Sequence, residues 1–406
     1  MTPDISANSG LVPWCVGQLD LIIGWLEKRT GWLARPHRVA LVLAAIALTV
    51  AFPPYEHFGP FAPNSPWIQQ ALTWQIVHPF SAIPVAQFSV DKKPGEAGIE
   101  QHLYKRTYRI TIPVICHYTG LTLKSFDALQ QVTSCFFLLF AFQIFLAIFK
   151  DRLSAFLAAA AVAASFIGQW SFYNFDCFDG LAYFLLMLIL RARRPWAIPL
   201  LAVAAGFIDE RTILAMPIIY LFQEDAADSP PEQWTLSPNP LRIATAVGVA
   251  LYLVLRWALG RHIGTMADYQ GMCLWMLKHN GMLLPVAFLL LFKGYSLLVG
   301  TSALVVARRR DFRNALLLIA SITPCVVAGI FVYDLTRSLC YAYPCIFLCA
   351  WIVTRDLDVT ALRRLCLCAA FLSICMPTYY ILLGIEPLFP VLRLFYDVYY
   401  VLRYMR

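Results

Sequence analysis

Three charged residues in succession, Asp209, Glu210 and Arg211, interrupt an apolar run over residues 195–222, in the stretch "GFIDERTILAMP". Charges in hydrocarbon surroundings are costly unless paired or wet, so such a triplet is either an ion-paired break between helices or part of a site. Pairing with one another or with Arg337 satisfies the first reading. Similar residues punctuate the apolar chain elsewhere: Asp176 and Asp179 in "YNFDCFDG", Asp334 and Arg337 in "YDLTRS", and Lys293 inside the run 281–307. Asp334 and Arg337 stand three apart on one helix face, which suits a local ion pair as well as ligand contact. Asp176 and Asp179 precede Gly180, where an aspartate caps a helix as readily as it serves a site. Lys105, Arg106 and Arg109 gather where the chain returns to an apolar stretch, and either anchor it among lipid headgroups or hold a phosphate. Carboxylates beside cations can take a proton from a hydroxyl and steady a departing phosphate.

Other chemistry is disfavoured by spacing. His57, His78, His102 and His117 form neither an HExxH sequence nor a histidine pair four apart, so no metal site is expected. Most of the 12 cysteines lie inside apolar runs, and the five-then-four spacing of Cys340, Cys345 and Cys349 matches no redox or zinc pattern. They read as small buried hydrophobes.

The elements that must carry these residues follow from composition. With 60% hydrophobic and 14% charged residues and a mean hydropathy of +0.65, the chain departs far from a soluble domain. The expected fold is all-α, a polytopic integral membrane protein forming a single membrane domain over 1–406. Its segments are expected near 39–53, 127–149, 154–170, 178–191, 195–208, 212–222, 240–259, 281–307, 314–331, 338–354, 361–384 and 390–404. That makes about twelve, several too short to cross alone and therefore extended or broken. The stretch 110–118 is also too short to span and suits a re-entrant element. Within the cytoplasmic or interfacial N-terminal segment 1–38, the stretch 11–36 alternates apolar and polar positions at helical spacing, with Trp14, Trp25 and Trp32 suited to the membrane surface.

The net charge of +8 comes from loop clusters following apolar runs, not from a basic soluble face, so nucleic acid is not the expected partner. Lys150 and Arg152, the "RARR" of 191–194, the "RRRDFR" of 308–313, Arg355, Arg363, Arg364, Arg403 and Arg406 mark the cytoplasmic side, with both termini there. The acidic, proline-rich loop 223–240 is placed on that side and read as flexible. The opposite face then receives the long loop 54–109, with an interfacial helix around Trp67, Leu72, Trp74 and Ile76, together with Asp176 and Asp179, the triplet 209–211, the loop 261–280 with Asp268, and Asp334 with Arg337.

Here the sequence resembles the integral-membrane glycosyltransferases of the GT-C fold. The resemblance rests on "YKRTYRITIP", "FIDERTIL" and "DLTRSLCYAYP", which are similar to short recurrent elements of bacterial members. It implies an enzyme of the bacterial inner membrane acting in polysaccharide biosynthesis for the cell envelope. Its donor is a sugar on a polyprenyl-phosphate carrier, its product forms on the outer face, and no cofactor is needed. It implies that the first outer loop supplies the catalytic carboxylate, usually an aspartate. That position holds Glu56 in "YEHFG", with Asp91 the next acid and Asp209 and Glu210 further candidates. Lys105, Arg106, Arg109, Arg211 and Arg337 would hold phosphate, with Asp176, Asp179 and Asp334 in support. A transporter or flippase of lipid-linked saccharides, or a non-catalytic subunit of a polysaccharide assembly complex, fits the same composition. The transferase predicts polar residues gathered at the outer rim, the transporter predicts them near the midplane, and a subunit predicts neither.

Overall fold

Five of the apolar helices begin at a side chain that accepts one of the first free backbone N–H groups. Thr122 accepts from Ser125 N at 3.2 Å ahead of Leu123–Phe149, and Asp151 accepts from Ser154 N at 2.9 Å ahead of Arg152–Ala164. Asn239, Asp311 and Asp358 do the same for Pro240–Ile263, Phe312–Ile330 and Val359–Cys375. The computed structural model describes residues 11–50, 66–84, 106–172, 178–223, 234, 236–264, 274–332, 334–376, 378–381 and 385–388. These are overwhelmingly helical, with one short antiparallel hairpin, Thr378–Ile381 against Ile385–Leu388, pairing Thr378 with Leu388.

The alanine-rich helix Arg152–Ala164 lies almost wholly buried against Leu123–Phe149, Val359–Cys375 and Pro36–Val50. Its small side chains let three neighbours approach closely, which is how helices pack where water offers no driving force. Around this centre, Pro240–Ile263 packs on Ala197–Gly206 and turns Leu253, Val254 and Trp257 outward. Phe312–Ile330 likewise exposes Phe312, Leu316 and Ile319. Cys340, Cys345 and Cys349 are buried, as small apolar groups would be.

Among the described residues, three helices are long and apolar enough to cross a bilayer: Leu123–Phe149, Pro240–Ile263 and Phe312–Ile330. The number rises to five if two bent pairs count as single spans, so the described residues form a predominantly helical bundle with membrane-compatible spans, fewer of them straight than the dozen expected of the whole chain. The expected run 281–307 is not continuous. It bends by 109° between Met276–Phe292 and Tyr295–Arg309. At the bend Lys293 takes φ +45° and Gly294 packs so tightly that an added Cβ would lie 1.9 Å from the Ala369 carbonyl oxygen. Buried Lys293 donates from Nζ to Ala164 O at 2.8 Å and to Thr378 Oγ1 at 2.7 Å. The same carbonyl marks a second bend, of 65°, between Arg152–Ala164 and Phe166–Phe172. The expected helix 361–384 stops at Cys375 and gives way to the hairpin. Hydropathy cannot distinguish these outcomes, because a buried strand and a buried helix are equally apolar. The segment 390–404 lies outside the described residues.

Polar contacts divide between the two ends of the bundle. At one end Arg363 binds Asp151 at 2.8 Å, Arg355 binds Asp311 at 3.0 Å, Arg309 binds Asp356 at 2.6 Å and Arg364 grips Asp20 of the helix Leu11–Arg29 at 2.6 and 2.8 Å. The basic loops and the N-terminal helix therefore share an end. The described part of the 223–240 loop joins them and is tied down. Trp234 is fully buried, with its backbone N–H on Asn314 Oδ1 at 3.0 Å, and Asn239 donates to Gln223 O at 2.7 Å. The other end holds the charge triplet. Between Gln130, which packs at Gly180, and Lys150 the helix Leu123–Phe149 rises about 30 Å at 1.5 Å per residue, about the thickness of a bilayer core.

Candidate functional site

The triplet sits where Ala197–Gly206 ends and the short helix Arg211–Leu214 begins. Asp209 makes this corner itself. Its Oδ1 accepts the Arg211 backbone N–H at 3.0 Å, a local turn that competes with helix continuation, and Thr212 Oγ1 donates to its carbonyl at 2.9 Å. The turn brings the Arg211 guanidinium back onto the Asp209 carboxylate, with Nε at 2.8 Å and Nη2 at 2.6 Å. Arg109 reaches the same carboxylate at 3.1 Å and Arg337 at 3.6 Å. Asp209 is fully buried. Burial alone would raise its pKa, but Arg109, Arg211 and Arg337 overcome that and hold the carboxyl below the usual carboxylate range.

Asp179 forms a second centre. Of the two uses open to it, capping and service in a site, it does not take the first: it lies inside the first turn of Asp179–Arg191, with Phe178 at φ +51° in the capping position. Instead it receives Trp170 Nε1 at 2.8 Å, Tyr341 OH at 2.7 Å and the Arg337 fork, through Nε and through Nη2 at 3.1 Å. Gly180 makes this approach possible, since an added Cβ there would fall 2.1 Å from Ser171 O. Arg211 Nη2 lies 3.6 Å from Asp179 Oδ1 and so joins the two centres. Arg211 also donates from Nη1 to Ser338 Oγ at 3.2 Å, and its guanidinium lies over the Tyr341 ring at 5.0 Å. Asp334 caps the helix Leu335–Cys340 by accepting the Arg337 backbone N–H at 3.1 Å, and faces the Arg337 guanidinium at 3.8 Å.

Glu210 differs from the other carboxylates. Its side chain is 31% exposed, against 0–1% for Asp209 and Asp179, and its contacts with Arg109 are longer, 3.3 Å to both Nε and Nη2. It is the acid of the network that a solvent-borne or lipid-borne molecule meets first. The side chains of Arg109, Arg211 and Arg337 keep some exposure as well, at 12–17%. Beside Arg109 a narrow cleft runs between the helix Pro66–Val77 and Ile208, with Arg106, Ile112 and Phe178 on its walls.

Thus Arg109, Asp179, Asp209, Glu210, Arg211, Asp334 and Arg337 meet in one network drawn from separate parts of the chain. Arg106 stands beside it in the cleft. Glu56, Asp91, Lys105 and Asp176 lie outside the described residues. Trp170, Tyr341, Ser338 and Gln75 enter the site without having been singled out in the sequence. Tyr341 lies within the quoted "DLTRSLCYAYP", but an uncharged aromatic residue in an apolar run carries no cost signal to draw notice. Comparison of the chain with family models, with curated proteins and with solved structures finds no match.

Proposed function

We propose that the protein is a membrane glycosyltransferase of GT-C-like organisation that moves a sugar from a polyprenyl-phosphate carrier to an acceptor hydroxyl. One observation carries the reading: a partly exposed carboxylate, Glu210, stands on the rim of a buried network of arginines at the end of the bundle away from the basic loops. Glu210 would take the acceptor proton. Arg109, Arg211 and Arg337, with Arg106 and Lys105 of the same entry segment, would bear the phosphate charge that develops as the sugar leaves. Asp179 and Asp209 are saturated by arginine, tryptophan and tyrosine donors, so their part is to hold the guanidinium groups in place. Phosphate is already a good leaving group, so no general acid is required. Glu56 and Asp91 of the first outer loop are the competing bases.

The test is release of polyprenyl phosphate from a labelled polyprenyl-phosphate hexose offered with a panel of acceptor saccharides. Glu210→Gln keeps shape and loses basicity, and should cut transfer by about 100-fold or more while the protein stays folded. Full activity in Glu210→Gln, with loss in Glu56→Gln or Asp91→Asn, moves the base to the loop.

A second reading rests on the two bent helix pairs that meet at Lys293, because discontinuous helices with a buried cation are how secondary transporters build midplane sites. Carrier-linked saccharide flux across proteoliposomes, lost in Lys293→Met and unaffected by Glu210→Gln, would favour it. The absence of both transfer and flux would favour a non-catalytic subunit.

A further inference from the structure

The helix Leu11–Arg29 presents different chemistry to the bundle and away from it. On the inner side Ile23 is buried and Leu26 packs against the core. Both acids of the helix are engaged from the bundle. Asp20 accepts the Arg364 fork at 2.6 and 2.8 Å, and Glu27 accepts Arg363 at 2.5 Å, beside the contact of Arg363 with Asp151. Asp20 and Glu27 stand about 10 Å apart at about 1.5 Å of rise per residue, yet their partners are consecutive residues of Val359–Cys375. The helix Leu11–Arg29 therefore lies across the basic end of the bundle and does not run alongside Val359–Cys375. Trp32, expected at the membrane surface with Trp14 and Trp25, is instead turned onto Phe156 at 5.1 Å, and Leu33 beside it is buried. The short helical turn Gly31–Ala34 thus ties the crossing helix to the helix Pro36–Val50 that follows.

The outer face is apolar and cationic together. Trp14, Leu21, Ile22 and Trp25 are 46–68% exposed. Positions 14, 21 and 25 recur on one side of a helix with about 3.6 residues per turn, so these side chains form a single stripe. Lys28, seven positions after Leu21, falls on the same stripe, and the Arg29 guanidinium sits over the Trp25 ring at 5.0 Å. Arg35 and Arg38 are exposed just beyond it. Asp20 and Glu27 are the acids of residues 11–38, and both already face arginines, so the outer face carries positive charge that its own segment does not balance. An apolar stripe of this kind is costly in water. A lipid headgroup layer relieves that cost, because indole rings settle at headgroup depth and anionic phosphates pair with Lys and Arg. The stripe runs across the bundle axis, parallel to the surface of a bilayer crossed by the apolar helices.

We infer that the helix Leu11–Arg29 is a docking surface for anionic phospholipid headgroups, with Trp14, Leu21 and Trp25 entering the headgroup layer and Lys28 and Arg29 binding its phosphates. The surface stands at the opposite end of the molecule from the charged network and does not depend on the transfer chemistry proposed there.

The experiment uses the full-length protein in nanodiscs of phosphatidylcholine alone or with rising fractions of phosphatidylglycerol. Leu21→Cys carries a polarity-sensitive fluorophore on a background in which Cys15, Cys177, Cys273 and Cys375 are replaced by Ser. Phosphatidylglycerol should shift its emission to the blue and cut quenching by acrylamide, a neutral quencher in the water phase, by about threefold or more. Each cation beside an anionic surface favours docking by about fivefold, so Lys28→Gln with Arg29→Gln should lower the docked-to-free ratio by about tenfold or more. High salt should have the same effect on the chain that keeps Lys28 and Arg29, which separates the role of charge from any loss of helix structure. A probe quenched strongly and equally in both kinds of disc would mean a face open to water or to a protein partner, and would overturn the inference. Equal protection in both, indifferent to salt, would mean apolar burial without selection for anionic lipid, and would overturn it too.

Discussion

Replacing Asp209 by Asn separates the scaffold of the charged network from its exposed rim, and the structure sets the size of the effect. Asparagine keeps the volume and the acceptor that makes the 209–211 turn, but it removes the charge facing three guanidinium groups. Arg337 retains its fork on Asp179, with one arm at 3.1 Å, and Arg109 retains Glu210 at 3.3 Å. Arg211 fares worst. It loses the charge behind its contacts of 2.6 and 2.8 Å and keeps a distant approach of 3.6 Å to Asp179 and a neutral bond to Ser338. Breaking a buried pair from one side costs about 3–5 kcal/mol, and Asp209, being fully buried, belongs in that range. Glu210→Gln removes a partly exposed acid whose partner keeps another carboxylate, and exposed pairs are worth about 1 kcal/mol or less. Unfolding in mixed micelles titrated with denaturing detergent measures both variants against the native chain. Asp209→Asn should lose at least about 2 kcal/mol more than Glu210→Gln, and Asp209→Asn within about 1 kcal/mol of the native protein would refute the network as described. The acid limb offers a second check. The Asp209 carboxyl is depressed when folded, so the stability it contributes is present above the unfolded carboxylate value of about 4 and is lost as pH falls below it. The native chain should therefore show an acid loss that is smaller in Asp209→Asn.

Gly294→Ala should abolish stable expression or cost several kcal/mol, because the added Cβ would meet the Ala369 backbone at 1.9 Å and backbone cannot swing aside, while Gly300→Ala on the helix that follows meets nothing within 4 Å and should be neutral or mildly stabilising. Cell yield and detergent unfolding compare the two, and equal behaviour would remove the bend at Lys293 as a fixed feature. Sidedness can be checked with an impermeant thiol reagent on a background in which Cys15 and Cys375, exposed among the described residues, and Cys177 and Cys273, which lie outside them, are replaced by Ser. Tyr118→Cys and Gly264→Cys should label from one side of the membrane, and Arg193→Cys and Arg310→Cys from the other. Labelling of Tyr118→Cys and Arg310→Cys from the same side would contradict the two-ended arrangement.

Much of this was legible in the chain itself because the relevant physics is local. An apolar run started by Thr122, Asp151, Asn239 or Asp311 forms a helix whatever its neighbours do, and a basic loop after such a run marks one end of the bundle. The cost of burying Asp209, Glu210 and Arg211 likewise singles out their corner before any coordinate is known, and i, i+3 spacing already sets Asp334 beside Arg337. Which groups meet across helices is a different matter. Arg337 finds Asp179 across 158 positions of sequence, and Arg211 finds Ser338 across 127. Neither encounter follows from composition or period, since each depends on how far one helix is rotated and shifted against another. Packing at Gly180 and the tight turn at Asp209 set those rotations here. The apolar run 281–307 shows the same limit from the other direction. Its hydropathy reads as one helix, and only the fit of Lys293 to the ends of two other helices bends it. Gln75 is the clearest case: in the sequence it is one glutamine on an interfacial helix. Tertiary structure alone buries it and places its nitrogen on two carbonyls, because a side chain's hydrogen-bond accounts close only when every neighbour is in place.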